Sequence, residues 1–231
     1  MATYPIWNDL IEHPTWRDLM QFTKGKWATM SHKEQNEVLT AWKLHIEEAR
    51  RREKEEAHRK AWEDLCPAEY RNTNYARLPN PEKFEQVQKW QYGPVGLLVV
   101  GPTRRGKTRA VWKLLERLHF DEHRNIIAFS PMDLKLAVAN AWRDTETTED
   151  WIRGLRYAGV LFLDDLDTIK FTEAVEETIY DIFEFRPTHA KPVIATLNQS
   201  GPQLAARMNT SGRGAKIVER MREYCEVINF T

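Results

Sequence analysis

The chain has 231 residues, with 34 Lys and Arg balancing 34 Asp and Glu for a formal net charge of zero, and 42% of it is hydrophobic. That composition can build a packed core, and with only 10 Gly and 11 Pro it excludes a collagen-like or mucin-like chain. The zero sum also excludes the strongly basic whole-chain balance of a simple nucleic-acid binder, so any such surface must be a local patch.

The N-terminus, MATYPIWNDL, lacks the basic-then-apolar order of a signal peptide. The longest apolar stretch, around Val95 to Val100, is far too short to cross a bilayer, so a soluble, cytoplasmic protein without membrane contact is expected. Cys66 and Cys225 lie far apart with no CxxC spacing, which argues against a disulfide scaffold or a zinc site. Five of the nine tryptophans (Trp7, Trp16, Trp27, Trp42 and Trp62) fall in the first 64 residues, whereas every glycine except Gly25 lies at Gly93 or later. This asymmetry divides the chain into a small all-helical region at 1–64, a linker at 65–82 and a core at 83–231. The first region has no recognisable chemistry and is the candidate partner-binding module.

Within it, Ser31 and Glu34 form a capping box, in which hydroxyl and carboxylate satisfy each other's exposed backbone donors. A long helix should start there. Apolar residues recur at helical spacing at Leu39, Trp42, Ile46 and Ala49 before a charge run beginning at Arg50. Glu47/Arg51, Glu48/Arg52, Glu55/Arg59 and Glu56/Lys60 are pairs four apart in the favourable order. The run is either a solvated helix face or a partner-binding arm. From Cys66 to Pro81, Pro67, Pro79 and Pro81 with Asn72, Asn74 and Asn80 read as a linker. Beyond it, short apolar runs at Leu97 to Val100, Ile126 to Phe129, Val160 to Leu163, Val193 to Thr196 and Val227 to Phe230 alternate with amphipathic segments. Five buried strands separated by helices imply an α/β architecture with a five-stranded parallel sheet covered on both faces.

Between the first strand and a helix expected over Thr108 to Leu118 lies Gly101-Pro102-Thr103-Arg104-Arg105-Gly106-Lys107-Thr108, the GxxxxGK[ST] pattern in its required context. Successive backbone N–H groups and the helix N-terminus cradle phosphates there, Lys107 reaches the β and γ phosphates of ATP, and the Thr108 hydroxyl coordinates Mg²⁺. The third strand delivers Asp164 and Asp165 at its C-terminal end, where ligands of open α/β sheets bind. Asp164 would hold the hydrated Mg²⁺ and Asp165 would polarise the attacking water. The alternative is an acidic helix cap at Asp165 or Asp167. The fourth strand ends at Asn198, which either hydrogen-bonds the attacking water or the γ-phosphate or ends the strand as a turn residue.

The order of these parts, followed by Gly214-Ala-Lys-Ile-Val-Glu-Arg220-Met-Arg222-Glu before a terminal strand, resembles the AAA+ ATPases. It is closest to the bacterial helicase loaders of the DnaC type and the transposition helper ATPases of the IstB type. Cys66-Pro-Ala-Glu-Tyr-Arg71 also resembles the linker of that branch, so the likeness covers about residues 65 to 231. It implies that Asn198 is the sensor asparagine and that Arg220 is an arginine finger acting in a neighbour's ATP site, and hence a homo-oligomer. An Arg from a short helix can neutralise transition-state charge on the γ-phosphate. Arg220 otherwise reads as a surface helix charge beside Glu219 and Glu223, and Arg222 and Arg213 are alternative fingers.

Two departures stand out. Arg104 and Arg105 occupy positions where Gly-Thr is usual, and an Arg104 forced into a left-handed backbone would store strain, weaken nucleotide binding or slow hydrolysis. The sequence ends at Thr231 just after the last strand, so the helical lid with a second sensor arginine is expected to be missing. His119 and His123 are four apart but suit a helix C-terminus better than a metal site, with no third ligand evident. Trp142 and Trp151, near Lys135, Arg143 and Arg153, either stack on single-stranded DNA, as relatives do in this region, or pack in the core.

These features imply, first, a helicase-loader-like ATPase of DNA replication that binds single-stranded DNA and a replicative helicase. The second reading is a transposition helper that delivers a transposase. A nucleotide-gated adaptor with little hydrolysis is the third. A small-molecule P-loop kinase has no job for Asn198 or Arg220.

Overall fold

In the computed structural model, the described residues are 16–74, 78–142, 145–208 and 211–231. Two compact units divide at Ala61 and Trp62.

The N-terminal unit holds α1 (Trp16–Phe22), a 3₁₀ turn (Trp27–Thr29) and most of α2 (His32–Leu65). The capping box forms at the start of α2. The Ser31 backbone N–H and hydroxyl both donate to Glu34 Oε2, at 2.7 and 2.6 Å, and the Glu34 N–H reaches back to Ser31 Oγ at 3.4 Å. Leu19 and Trp42 are buried together, with Trp27, Val38, Leu39 and Ile46 packed around them. Of the anticipated charge pairs, Arg52 meets Glu48 at 3.9 Å, but Arg51 turns forward to Glu55 at 3.5 Å instead of back to Glu47. All four side chains are well exposed, so rotamer freedom decides such pairings and each is worth little. Trp7 lies outside the described residues.

The second unit continues with α3 (Ala68–Arg71), α4 (Pro81–Lys89), β1 (Gly96–Val100), α5 (Lys107–Phe120), β2 (Ile126–Phe129), α6 (Pro131–Ala141) and α7 (Thr145–Tyr157). There follow β3 (Val160–Leu163), a 3₁₀ turn (Leu166–Thr168), α8 (Glu173–Thr188), β4 (Val193–Leu197), α9 (Gly201–Arg207), α10 (Gly214–Tyr224) and β5 (Cys225–Asn229). The five strands form one sheet in the order β2-β3-β4-β1-β5, and every pairing is parallel. β5 begins two residues before the Val227 expected from the apolar run. Cys225 and Glu226 qualify through pairing with Gly96 and Leu97 of β1, which no hydrophobic pattern reports.

Burial on both faces explains why the strands read as continuous apolar runs. Leu97 and Val99 point with Phe162 and Ile194 into a core closed by Val111, Leu114, Leu115 and Leu118 of α5, together with Trp62, Val87 and Trp90. On the other face Leu98, Leu161, Leu163 and Ala195 meet Ile179, Ile182 and Phe183 of α8 and Ile217 and Met221 of α10. Each such fully buried side chain contributes roughly 1.5–3 kcal/mol against exposure. Trp62 belongs to this unit: its ring meets Trp112 at 5.9 Å, His119 at 5.5 Å and Phe120 at 5.8 Å. His119 is thus an aromatic packing partner, and no metal-holding His, Cys, Asp or Glu cluster occurs among the described residues. Both cysteines are free thiols, and burial pushes them up to about 11 for Cys66 and about 12 for Cys225. Among the described residues no helix is long and apolar enough to cross a membrane.

Candidate functional site

β1 ends at Val100, and the chain must then turn sharply to enter α5. Gly101 (φ 153°) makes that turn where no side chain fits, since a Cβ there would sit 2.3 Å from the Phe230 carbonyl oxygen. Gly106 (φ 89°) caps α5 in a left-handed conformation that glycine adopts without steric cost. Arg104 also has a positive φ, 61°, so the strain anticipated from its replacement of glycine is present. The loop forms one wall of a cavity of about 370 Å³, with Thr103 through Arg109 facing Glu69, Tyr70, Leu78 and Pro79, and with Asp165 and Asn198 beside them. That volume falls within the range of nucleotide-sized ligand sites.

Three strand ends meet at this cavity. The Lys107 ammonium, only 5% exposed, donates to the Pro102 carbonyl and to Asn198 Oδ1, both at 2.9 Å. Burial pulls its pKa down, while Asp165, Asp167 and Asp164 act in the opposite direction. From β3, Asp164 Oδ1 accepts from the Thr108 hydroxyl at 2.9 Å and from the Thr196 hydroxyl at 2.6 Å. Burial raises the Asp164 pKa, and these two hydroxyls partly oppose the shift. Asp165 takes a left-handed backbone (φ 40°, ψ 43°), with its N–H bound to Thr196 Oγ at 2.7 Å. Asn198, at the end of β4, donates through Nδ2 to Asp165 Oδ1 at 3.2 Å and to Asp167 Oδ1 at 3.3 Å. Lys107, Thr108, Asp164, Asp165 and Asn198 therefore share one hydrogen-bonded cluster, though they are separated by up to 91 positions in sequence.

A divalent hard cation seeks oxygen ligands. The Thr108 hydroxyl and the Asp164 carboxylate, adjacent and penalised for burial while unneutralised, fit Mg²⁺. The arginines, the lysine and the helix N-terminus around the loop fit a polyphosphate.

Thr196, fully buried within β4, belongs to no motif, and Asp167 reads in the sequence only as a possible helix cap. Both stand two positions from a candidate site residue, Thr196 before Asn198 and Asp167 after Asp165. That period-two spacing was the available signal for Thr196. The segment from Cys66 to Pro81, read as a linker, contributes Glu69, Tyr70, Leu78 and Pro79 to the cavity wall. Tyr70 is held there by stacking on Trp112 at 6.2 Å, with the Arg109 guanidinium 5.4 Å from its ring centroid and bonded to the Glu69 carbonyl.

Arg220 does not line this cavity. Its guanidinium binds Glu184, with Nε to Oε1 at 2.7 Å and Nη2 to Oε2 at 3.4 Å, and Nη1 reaches Glu223 at 3.0 Å. Arg213 lies 3.9 Å from Glu177, and Arg222 lines a separate apolar pocket between α9 and α10. Trp142 is 45% exposed at the end of α6, whereas Trp151 packs against the core; Arg143 lies outside the described residues.

No protein-family model and no curated protein matches the chain. Solved structures do. The DnaC helicase loader superposes with a TM-score of 0.55 and 21% identity, covering 74% of this chain and 99% of that one. DnaI gives 0.56 and 20%, covering 74% of this chain and 96% of its own. Replication initiator DnaA bound to AMPPCP and single-stranded DNA gives 0.52 and 14%, covering 68% of this chain and 47% of that one. The chain has the AAA+ P-loop fold of the DnaC-like structures, with an all-parallel five-stranded sheet and helices on both faces.

Proposed function

We propose that the chain is a Mg²⁺-dependent ATPase of the helicase-loader kind, acting in DNA replication as a homo-oligomer with single-stranded DNA and a replicative helicase. The observation that carries the ATPase reading is the convergence of Lys107, Thr108, Asp164, Asp165 and Asn198 in one hydrogen-bonded cluster at a nucleotide-sized cavity. Fold likeness to the DnaC helicase loader and to DnaA with its AMPPCP and single-stranded DNA supports the replication context.

The residues divide the work as follows. The backbone from Gly101 to Thr108, including Pro102, Thr103 and Arg105, cradles the phosphates, and Lys107 exchanges Asn198 and the Pro102 carbonyl for phosphate oxygens. Tyr70, Leu78 and Pro79, which line the same cavity, would receive the nucleoside end. Thr108 and Asp164 would hold Mg²⁺, which would supply charge neutralisation to a bound polyphosphate. Asp165 accepts a proton from water as the water oxygen bonds to the γ-phosphorus and the bond to ADP breaks. Asn198 orients that water. Arg220 reaches a neighbour's γ-phosphate in exchange for Glu184, while a permanent surface ion pair is the competing role for it.

The test is ATP turnover by the full chain with Mg²⁺ and single-stranded DNA. We expect hydrolysis that Lys107→Ala reduces by about three orders of magnitude, consistent with loss of a phosphate-binding charge. Binding of ATP without turnover would favour the nucleotide-gated adaptor, a reading that the strained Arg104 supports. Co-purification with an integrase-like transposase instead of a hexameric helicase would favour the transposition helper.

A further inference from the structure

Asp167 is the one acidic residue of the Asp164-Asp165-Leu166-Asp167 stretch that is completely enclosed, at 1% exposure. Burying a carboxylate is costly unless hydrogen bonds to its charged form compensate. Asp167 Oδ1 receives two such bonds from a single residue: the Asn198 backbone N–H at 3.0 Å and the Asn198 side-chain Nδ2 at 3.3 Å. Its other oxygen, Oδ2, is buried without a partner among the described residues. Both of these hydrogen bonds come from Asn198, while the charge of Asp167 also acts on nearby Lys107.

The consequence lies in how an amide is oriented. Oxygen and nitrogen of an Asn side chain are nearly the same size, so surrounding charges decide which way the group faces. Around Asn198 the arrangement is unambiguous. Two carboxylates, Asp165 and Asp167, face Nδ2, and the Lys107 ammonium faces Oδ1 at 2.9 Å. Lys107 and Asp165 hold one atom each of the amide, whereas Asp167 grips both the main chain and the side chain of the same residue and keeps that grip when Lys107 turns to phosphate. With Asp167 in place, the amide is aimed along the line from the P-loop lysine to Asp165.

We infer that Asp167 is a positioning residue for hydrolysis: it fixes the rotamer and facing of Asn198 beside Asp165. The inference rests on the ATPase reading above and deepens it. Asp167 acts through Asn198 and touches no substrate atom.

The experiment is a double-mutant cycle on the full chain, measuring kcat and the Kd for MgATP for wild type, Asp167→Ala, Asn198→Ala and the double variant, with thermal melts on each. Asp167→Ala is expected to lower kcat about 10- to 100-fold, the usual cost of losing a supporting hydrogen-bond partner, with the Kd for ATP within about three-fold of wild type. In the Asn198→Ala background the same change should cost less than about two-fold, because the residue through which it acts is gone. Asp167→Asn retains an acceptor oxygen and should recover most of the loss. If Asp167→Ala does not fold, Asp167→Ser takes its place in the cycle. Unchanged kcat in the single variant, or additive losses in the double, would overturn the positioning role while leaving the ATPase intact. A folded wild-type chain that binds MgATP without turning it over would overturn the ATPase reading and this role together.

Discussion

At Arg104 the backbone sits at φ 61° in a chain position where a side chain costs about 1 kcal/mol or more. Replacing it separates two effects, because Arg104→Gly removes both the strain and the guanidinium while Arg104→Ala removes only the guanidinium. Glycine also gives the unfolded chain more freedom, so the glycine variant should be more stable than the alanine variant by about 0.5 kcal/mol, read by denaturant titration. Any loss of ATP affinity common to both variants measures the charge. Asp164 offers a second test. Burial raises its pKa in the folded chain, so folding favours its protonated form and stability is lost as pH rises from the ordinary carboxylate range through the raised value. In the metal-free protein the penalty is fully present only above the raised value. Asp164→Asn keeps an acceptor for Thr108 and Thr196, and should therefore raise the melting temperature by a few degrees at pH 8 while abolishing Mg²⁺-dependent turnover. Melting curves from pH 8 downward should show that gain shrinking as wild-type Asp164 takes up its proton.

Elements decide where such residues stand. β3 and β4 are adjacent and parallel, with Leu163 opposite Ala195, so the residues just beyond each strand emerge side by side at one edge of the sheet. Thr196 exploits this by binding the Asp164 carboxylate and the Asp165 N–H at once, joining the two strand ends. At the opposite end of the same helical layer, fully buried Arg186 of α8 binds the carbonyls of Leu155, Arg156 and Pro192, closing the C-terminus of α7 and the entry to β4. Burial lowers its pKa to about 10. On α10 Arg220 is held by Glu184 of α8 and by Glu223 one turn away, half-exposed and not part of the lining of its own chain's cavity. Removing an exposed ion pair disturbs a fold little. We therefore expect Arg220→Ala to melt within a degree or two of wild type and to bind ATP normally. Its hydrolysis should nevertheless fall at least about 100-fold, as an arginine finger requires.

For the whole molecule that loss has a distinct signature. If Arg220 serves a neighbour, mixing Arg220→Ala with Asp165→Asn protein should restore some turnover, because a hybrid interface pairs an intact Asp165 with an intact Arg220. Absence of recovery in a mixture with verified assembly would return Arg220 to its pairing with Glu184. The neutral net charge of the chain carries no information on DNA binding: three carboxylates, Asp164, Asp165 and Asp167, are committed beside Lys107.

Much of this was readable from residue order alone. Strand cores, the helix after the P-loop and the capping box at Ser31 are local events, driven by apolar runs and backbone satisfaction within a few residues, so a linear pattern suffices. Lys107, Thr108 and the Asp164-Asp165 pair were legible for the same reason, since each sits at a strand end that its own neighbours define. Tertiary structure decided the rest. Only the order β2-β3-β4-β1-β5 brings Asn198 to Lys107, buries Asp167 beneath it and aligns Thr196 with Asp164. Only packing against Trp112 turns Tyr70 from a linker residue into a cavity wall and draws Trp62 into the core of the second unit. Such contacts depend on which surfaces meet after the chain has folded, and no spacing along the chain encodes that.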